Sequence, residues 1–110
     1  MSKKVPAHIR RLMQELKEGL ARIYGDRLKA VYLYGSYARG DYRPGSDVDV
    51  MVLLSDYKDY WDEWRRSSDY ISDVSLAYDV TVSCILTRQA QWEQADKPVL
   101  HNIRLEGLLV

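Results

Sequence analysis

Asp47 and Asp49 stand one residue apart and lead into the apolar run Val50 to Leu54, and the pair Gly35-Ser36 precedes them by ten residues. Unpaired carboxylates are costly at the mouth of a buried strand. Side chains two apart on a strand share a face, so the two aspartates form a negative claw. Carboxylates held together raise each other's pKa unless a cation neutralises them, and an all-oxygen donor set suits Mg2+ or Mn2+ rather than zinc. A glycine at a sharp turn lets backbone N–H groups approach an anion closely, with the Ser36 hydroxyl as a further donor. Phosphate oxygens are the natural guests of such a turn. It is not a Walker loop, because the lysine that should follow the second glycine is missing. Arg39 and Arg43, in the same connection, either hold phosphate or lie on the surface. Metal ions bridging a triphosphate and activating an attacking oxygen would give in-line displacement at phosphorus, with pyrophosphate leaving.

The elements that must position these groups follow from periodicity. Ile9, Leu12, Met13, Leu16, Leu20 and Ile23 recur at three- and four-residue steps, which predicts an amphipathic helix over Pro6 to Tyr24, closed by Gly25. Ala30 to Tyr34 predicts a first strand that stops at Gly35. Gly35, Gly40, Pro44 and Gly45 punctuate a loop or one short helix beginning near Ser36. Val48 to Leu54 predicts a second strand, apolar on both faces beyond Asp49 and so covered on both sides. A helix is expected within Tyr57 to Ala77, a third strand over Asp79 to Leu86, a helix cap at Thr87 and a last helix over Pro98 to Glu106. Trp61 and Trp64 would make an apolar stripe on the middle helix. The order is that of a small α/β domain, with helices packed on a mixed sheet of three to four strands.

The chain of 110 residues is expected to form one domain, 1–110. Its 16 basic and 16 acidic side chains cancel, which argues against general nucleic-acid binding. Cys84 is the only cysteine, so an intramolecular disulfide and a thiolate metal cluster are excluded, and it reads as a buried structural thiol. His8 and His101 lack ligand spacing. No apolar run approaches a membrane span, and the polar start Met1 to Lys4 is unlike a signal peptide, so the expected setting is the cytoplasm, with no membrane partner.

A crossover helix between parallel strands brings both to one sheet edge. Asp79, at the start of the expected third strand, would then stand beside Asp47 and Asp49 and complete a site for two metal ions. Ser83 lies on the same face and takes that position if the strand is shifted; the competing reading of Asp79 is a strand-entry residue facing water.

Gly35-Ser36, ten residues, and Asp47-Val48-Asp49 match a G-S-x(10)-D-x-D signature, in which the chain resembles the nucleotidyltransferases of the DNA polymerase β superfamily. The flanks "YGSYARGDYRPGSDVDVMVLL" are similar to the minimal nucleotidyltransferases, and "KPVLHNIRLEG", Lys97 to Gly107, echoes the ending of related chains. The alternative, a polar loop with incidental acids, leaves the strand context to coincidence. The resemblance implies that Asp47, Asp49 and Asp79 bind catalytic Mg2+ or Mn2+, and that Gly35 and Ser36 hold the triphosphate of ATP, with Arg39 as a further contact. It also implies a HEPN-domain partner: an antitoxin moving AMP from ATP onto a tyrosine of a HEPN toxin. A chain of 110 residues is not expected to hold a second, acceptor-cradling domain. Trp61, Trp64, Tyr32, Tyr34, Tyr37 and Tyr42 are candidate anchors for a protein acceptor. Transfer to a small molecule or RNA end, and a binding module that neutralises its partner by contact alone, are the competing readings. Self-association is left open.

Overall fold

The computed structural model describes residues 4–95 and 97–110; Met1 to Lys3, most of the polar start, and Asp96 lie outside them. Helix α1, Ala7–Tyr24, begins after Pro6 and ends at Gly25, whose φ of 58° carries the chain into a 3-10 turn, Gly25–Arg27. Strand β1 is Leu28–Tyr34, one-turn helix α2 is Ser36–Arg39, and β2 is Val48–Leu54. Helix α3, Tyr60–Tyr78, starts where the Asp59 carboxylate accepts from the Trp61 and Asp62 N–H groups. Strand β3, Val82–Arg88, is followed by α4, Gln89–Gln94, α5, Pro98–Glu106, and the two-residue strand β4, Leu108–Leu109.

The sheet order is β3-β2-β1-β4. β2 runs parallel to β3 and antiparallel to β1, and β4 pairs antiparallel with β1, so the sheet is mixed, as expected. Alternation along β2 builds two cores. Val48, Val50, Val52 and Leu54 join the α1 residues Ile9, Leu12, Met13, Leu16 and Leu20 on one face. Met51 and Leu53 meet Leu100 and Ile103 of α5 on the other. Each such side chain removed from water contributes roughly 1.5–3 kcal/mol, which pins the register of β2 and with it the direction of Asp49.

Gly19 brings α1 and α3 together: a Cβ there would lie 2.0 Å from the Tyr70 ring, whose hydroxyl donates to the Glu15 carbonyl at 2.7 Å. Buried Glu63 of α3 accepts both guanidinium nitrogens of Arg27, at 2.5 and 3.0 Å. That charge is therefore matched rather than stranded.

Three expectations change. Thr87 is a buried residue inside β3, and Arg88 takes the place before α4. Trp61 and Trp64 leave the core stripe, being 61% and 38% exposed; Ser67, Ile71 and Val74 face inward instead. The third strand begins at Val82, not Asp79. Among the described residues, no helix is long and apolar enough to cross a membrane.

Candidate active site

The end of β1 and the starts of β2 and β3 meet at one end of the sheet. Tyr34 pairs with Asp49 across the antiparallel ladder, and Asp49 pairs with Ser83 across the parallel one. Residues so paired point to one face, here the side covered by α5. Asp47, two residues earlier, is exposed, whereas Asp49 is half-buried.

Gly35 has φ 74°, a left-handed conformation that favours glycine. It also has no room for a side chain: a Cβ would lie 2.2 Å from Asp49 Oδ2. The absent side chain thus yields the space that the Asp49 carboxylate occupies. From there α2 turns once, with the Ala38 and Arg39 N–H groups donating to the Gly35 carbonyl at 3.1 and 3.0 Å. Gly40 closes it with φ 91°. Ser36 opens this turn directly after Gly35.

Arg39 is a tied cation. Its Nε donates to Asp41 Oδ2 at 3.2 Å and its Nη1 to Glu106 Oε1 at 3.0 Å, linking α2 to the last turn of α5. Burial pushes the Asp49 carboxyl above its ordinary value, Asp47 adds to that, and Arg39 opposes it. The net direction is upward. Among the described residues neither Asp47 nor Asp49 makes an ion pair with a protein cation. Two adjacent oxygen donors with unmet charge fit a hard dication such as Mg2+ or Mn2+.

Tyr34 closes the claw from the β1 side. Burial first, and Asp49 second, push its phenol up to about 12, so it stays protonated and adds no charge beside the carboxylate. Reading the sequence for chemistry missed both Tyr34 as a wall of the site and Glu106 as the holder of Arg39. The signals were present: Tyr34 directly precedes Gly35, and Glu106 lies in the "RLEG" ending.

Asp79 is not brought to the pair. It caps α3 with φ 54°, its N–H donating to the Leu76 carbonyl, and two residues separate it from β3. Helix α3 runs one residue past the expected end, and the turn to the strand takes up the rest. Ser83 is the residue across from Asp49. Among the described residues no group of three His, Cys, Asp or Glu side chains is placed to hold a metal ion.

Other residues settle simply. His8 and His101 are exposed. Cys84 packs against the core, and burial pushes its thiol up to about 12, which keeps it a structural thiol. Arg104 lies over the Trp92 ring at 4.5 Å and donates to the Trp92 carbonyl. Of the candidate anchors, Tyr37 is buried with Tyr42 stacked on it at 4.6 Å, and Tyr32 packs on Trp92.

Residues 13–99 match the family model of the nucleotidyltransferase domain. The chain is 37% identical over 78 residues to a Methanocaldococcus jannaschii protein named for protein adenylyl transfer, covering 71% of this chain and 78% of that one. It is 34% identical over 85 residues to the protein adenylyltransferase MntA of Shewanella oneidensis, covering 70% and 61%. Among solved structures, a nucleotidyltransferase chain from Sulfolobus solfataricus aligns with TM-score 0.67 at 22% identity, over 99% of this chain and 86% of that one. A toxin-antitoxin structure with AMP-PNP aligns at 0.59 and 24% identity, over 87% and 70%. The structural likenesses carry the fold and the sequence matches carry the kinship: this chain belongs to the nucleotidyltransferase family, in the minimal form that its signature resembles.

Proposed function

We propose that this protein, acting as a single nucleotidyltransferase domain, moves AMP from ATP onto a hydroxyl of a protein partner, a tyrosine of a HEPN-type toxin, and serves as the antitoxin of that pair. The observation that carries the reading is the interlock of Asp49 with Gly35, which holds one carboxylate of an adjacent pair against the turn that would seat a phosphate tail. The names of its relatives, protein adenylyltransferases, favour a protein acceptor.

Asp47 and Asp49 would hold Mg2+ or Mn2+, which when bound neutralises triphosphate charge and acidifies the attacking hydroxyl. The carboxylates position; they need not exchange protons. Gly35 and Ser36 orient the phosphate tail through backbone N–H groups and the Ser36 hydroxyl. Arg39, fixed by Asp41 and Glu106, sets a positive charge at the same end of the sheet. Tyr34 keeps its proton and walls the claw from the core. Asp47 lies exposed, so a macromolecular hydroxyl can reach the site. Asp79 stays outside this set as a helix cap.

A second reading, neutralisation by contact without transfer, is favoured by Ser83 standing where a third acid would complete the set. One experiment separates them. The chain is incubated with ATP labelled on the α-phosphate, Mg2+ and a HEPN-domain protein encoded beside it. Label on a tyrosine of that protein supports the proposal. A stable complex with no label supports the contact reading, and label on RNA or small acceptors alone redirects the acceptor.

A further inference from the structure

The sheet has an open edge at β3, its outermost strand, and unpaired N–H and C=O groups on such an edge are a template for further pairing. The Val48 N–H donates to the Thr81 carbonyl, and the parallel register continues from Val48 with Val82 to Leu54 with Arg88. Alternation therefore turns the backbone of Thr81, Ser83 and Ile85 toward β2, and that of Val82, Cys84 and Leu86 outward. Leu86 is already covered: its N–H donates to the Tyr60 hydroxyl and its carbonyl accepts from the Tyr57 hydroxyl, both at 3.5 Å. At the other end the Val80 N–H is taken by the Ser75 carbonyl at 3.1 Å. Between these closures, among the described residues, the outward backbone groups of Val82 and Cys84 have no partner. A cavity of about 560 Å3 opens along them, walled by Trp64, Ser72 and Leu76 of α3.

We propose that two copies of this chain pair antiparallel through β3 about a twofold axis at Ser83, with Val82 of each copy exchanging two hydrogen bonds with Cys84 of the other. This goes beyond the proposed activity and does not depend on it.

The open stretch is self-complementary. It offers two donors and two acceptors, and the twofold arrangement satisfies all of them on both copies with nothing left over. A longer foreign strand would run into Tyr57 and Tyr60. The same axis lays α3 antiparallel beside its twin, so that Trp61 and Leu76, 61% and 80% exposed in the single chain, cover one another across the two copies. With 16 positive and 16 negative side chains the copies carry no net charge to repel each other. The two Asp49 carboxylates would lie three strand spacings apart, about 14 Å, on one face. That exceeds the screening length of about 8 Å at physiological salt, so the acidic pairs do not oppose the dimer.

Sedimentation velocity of the full chain over a concentration series tests this. The wild type is expected to convert from monomer to dimer. Val82→Pro removes an outward N–H from an edge strand, where proline is tolerated; it should weaken the dimer by about tenfold or more with an unchanged far-UV circular dichroism spectrum. Leu76→Glu, on an exposed helix position, should weaken it without touching the strand. Ser83→Cys in a Cys84→Ser background should cross-link between copies on mild oxidation, since facing residues of a non-hydrogen-bonded pair lie about 4.5 Å apart, within disulfide reach. A wild type that stays monomeric at millimolar concentration, a dimer indifferent to Val82→Pro, or no cross-link would each overturn the proposal.

Discussion

β2 and β3 enter the sheet side by side and in the same direction, yet only β2 carries acids into the candidate site. Asp47 and Asp49 belong to the strand and its last approach, and Gly35 yields the space that Asp49 occupies. At β3 the nearest preceding acid, Asp79, is spent on ending α3, and Ser83 meets Asp49 instead. An acid thus joins a site when the ladder fixes its face, whereas an acid in a helix-to-strand turn is aimed by the helix it closes.

The contrast predicts unequal effects of substitution. Asp47→Ala or Asp49→Ala should lower AMP transfer by at least ~10²-fold, the scale on which loss of metal-held charge stabilisation is felt; full activity in either, read from labelled ATP, would remove the β2 claw as the catalytic centre. Gly35→Ala comes next. Its Cβ collides with Asp49 Oδ2 and its φ is unsuited to alanine, so the carboxylate must shift, and a displacement near 1 Å costs on the order of 10²-fold in rate. The chain should remain folded by circular dichroism.

Ser83→Asp equips β3 with the acid it lacks. Mn2+ affinity, followed by electron paramagnetic resonance, should rise by about tenfold, and the melting temperature without metal should fall because three carboxylates then crowd one face. Unchanged Mn2+ affinity would mean that Ser83 does not face the claw.

Asp49 also gives a pH signature. Its carboxyl titrates above its ordinary value in the folded protein, from burial first and Asp47 second. The folded state therefore favours the neutral acid, and this contribution is fully present below the unfolded value of about 3.9 and is lost as pH rises through the folded value. Without divalent ions Asp49→Asn should melt higher than the wild type at neutral pH, with the gap closing as pH falls below the carboxylate range. A gap that widens on acidification would contradict the raised carboxyl. The smallest effect belongs to Asp79→Gly: transfer within about twofold of wild type, and a gain of up to about 1 kcal/mol from relieving a left-handed aspartate, measured by urea denaturation. A large loss of transfer would return Asp79 to the site.

Much of this was legible in the sequence because periodicity and glycine punctuation report local structure. The α1 stripe, the limits of β2 and those of α5 all follow the pattern, and Gly35 marks the turn. What was not legible depended on partners distant in the chain. Whether Trp61 and Trp64 face the core is decided by which side of α3 meets α1 and β3, and both aromatic and small residues fit the periodicity. The run "DVTVSCIL" alternates from its first residue, so alternation alone cannot say that Asp79 still belongs to the helix. Arg39 offered a surface and a phosphate reading; its ties to Asp41 and Glu106 needed α5 folded back over the sheet end. Tyr34 became part of the site only through its register with Asp49.

Mn2+ binding in the presence of AMP-PNP, measured by electron paramagnetic resonance on the wild type and on Asp49→Asn, bears hardest on this account. It predicts that nucleotide and ion bind together to the wild type and that the single exchange of an oxygen for a nitrogen at Asp49 abolishes this while the fold persists. Equal Mn2+ and nucleotide binding by both proteins would contradict it.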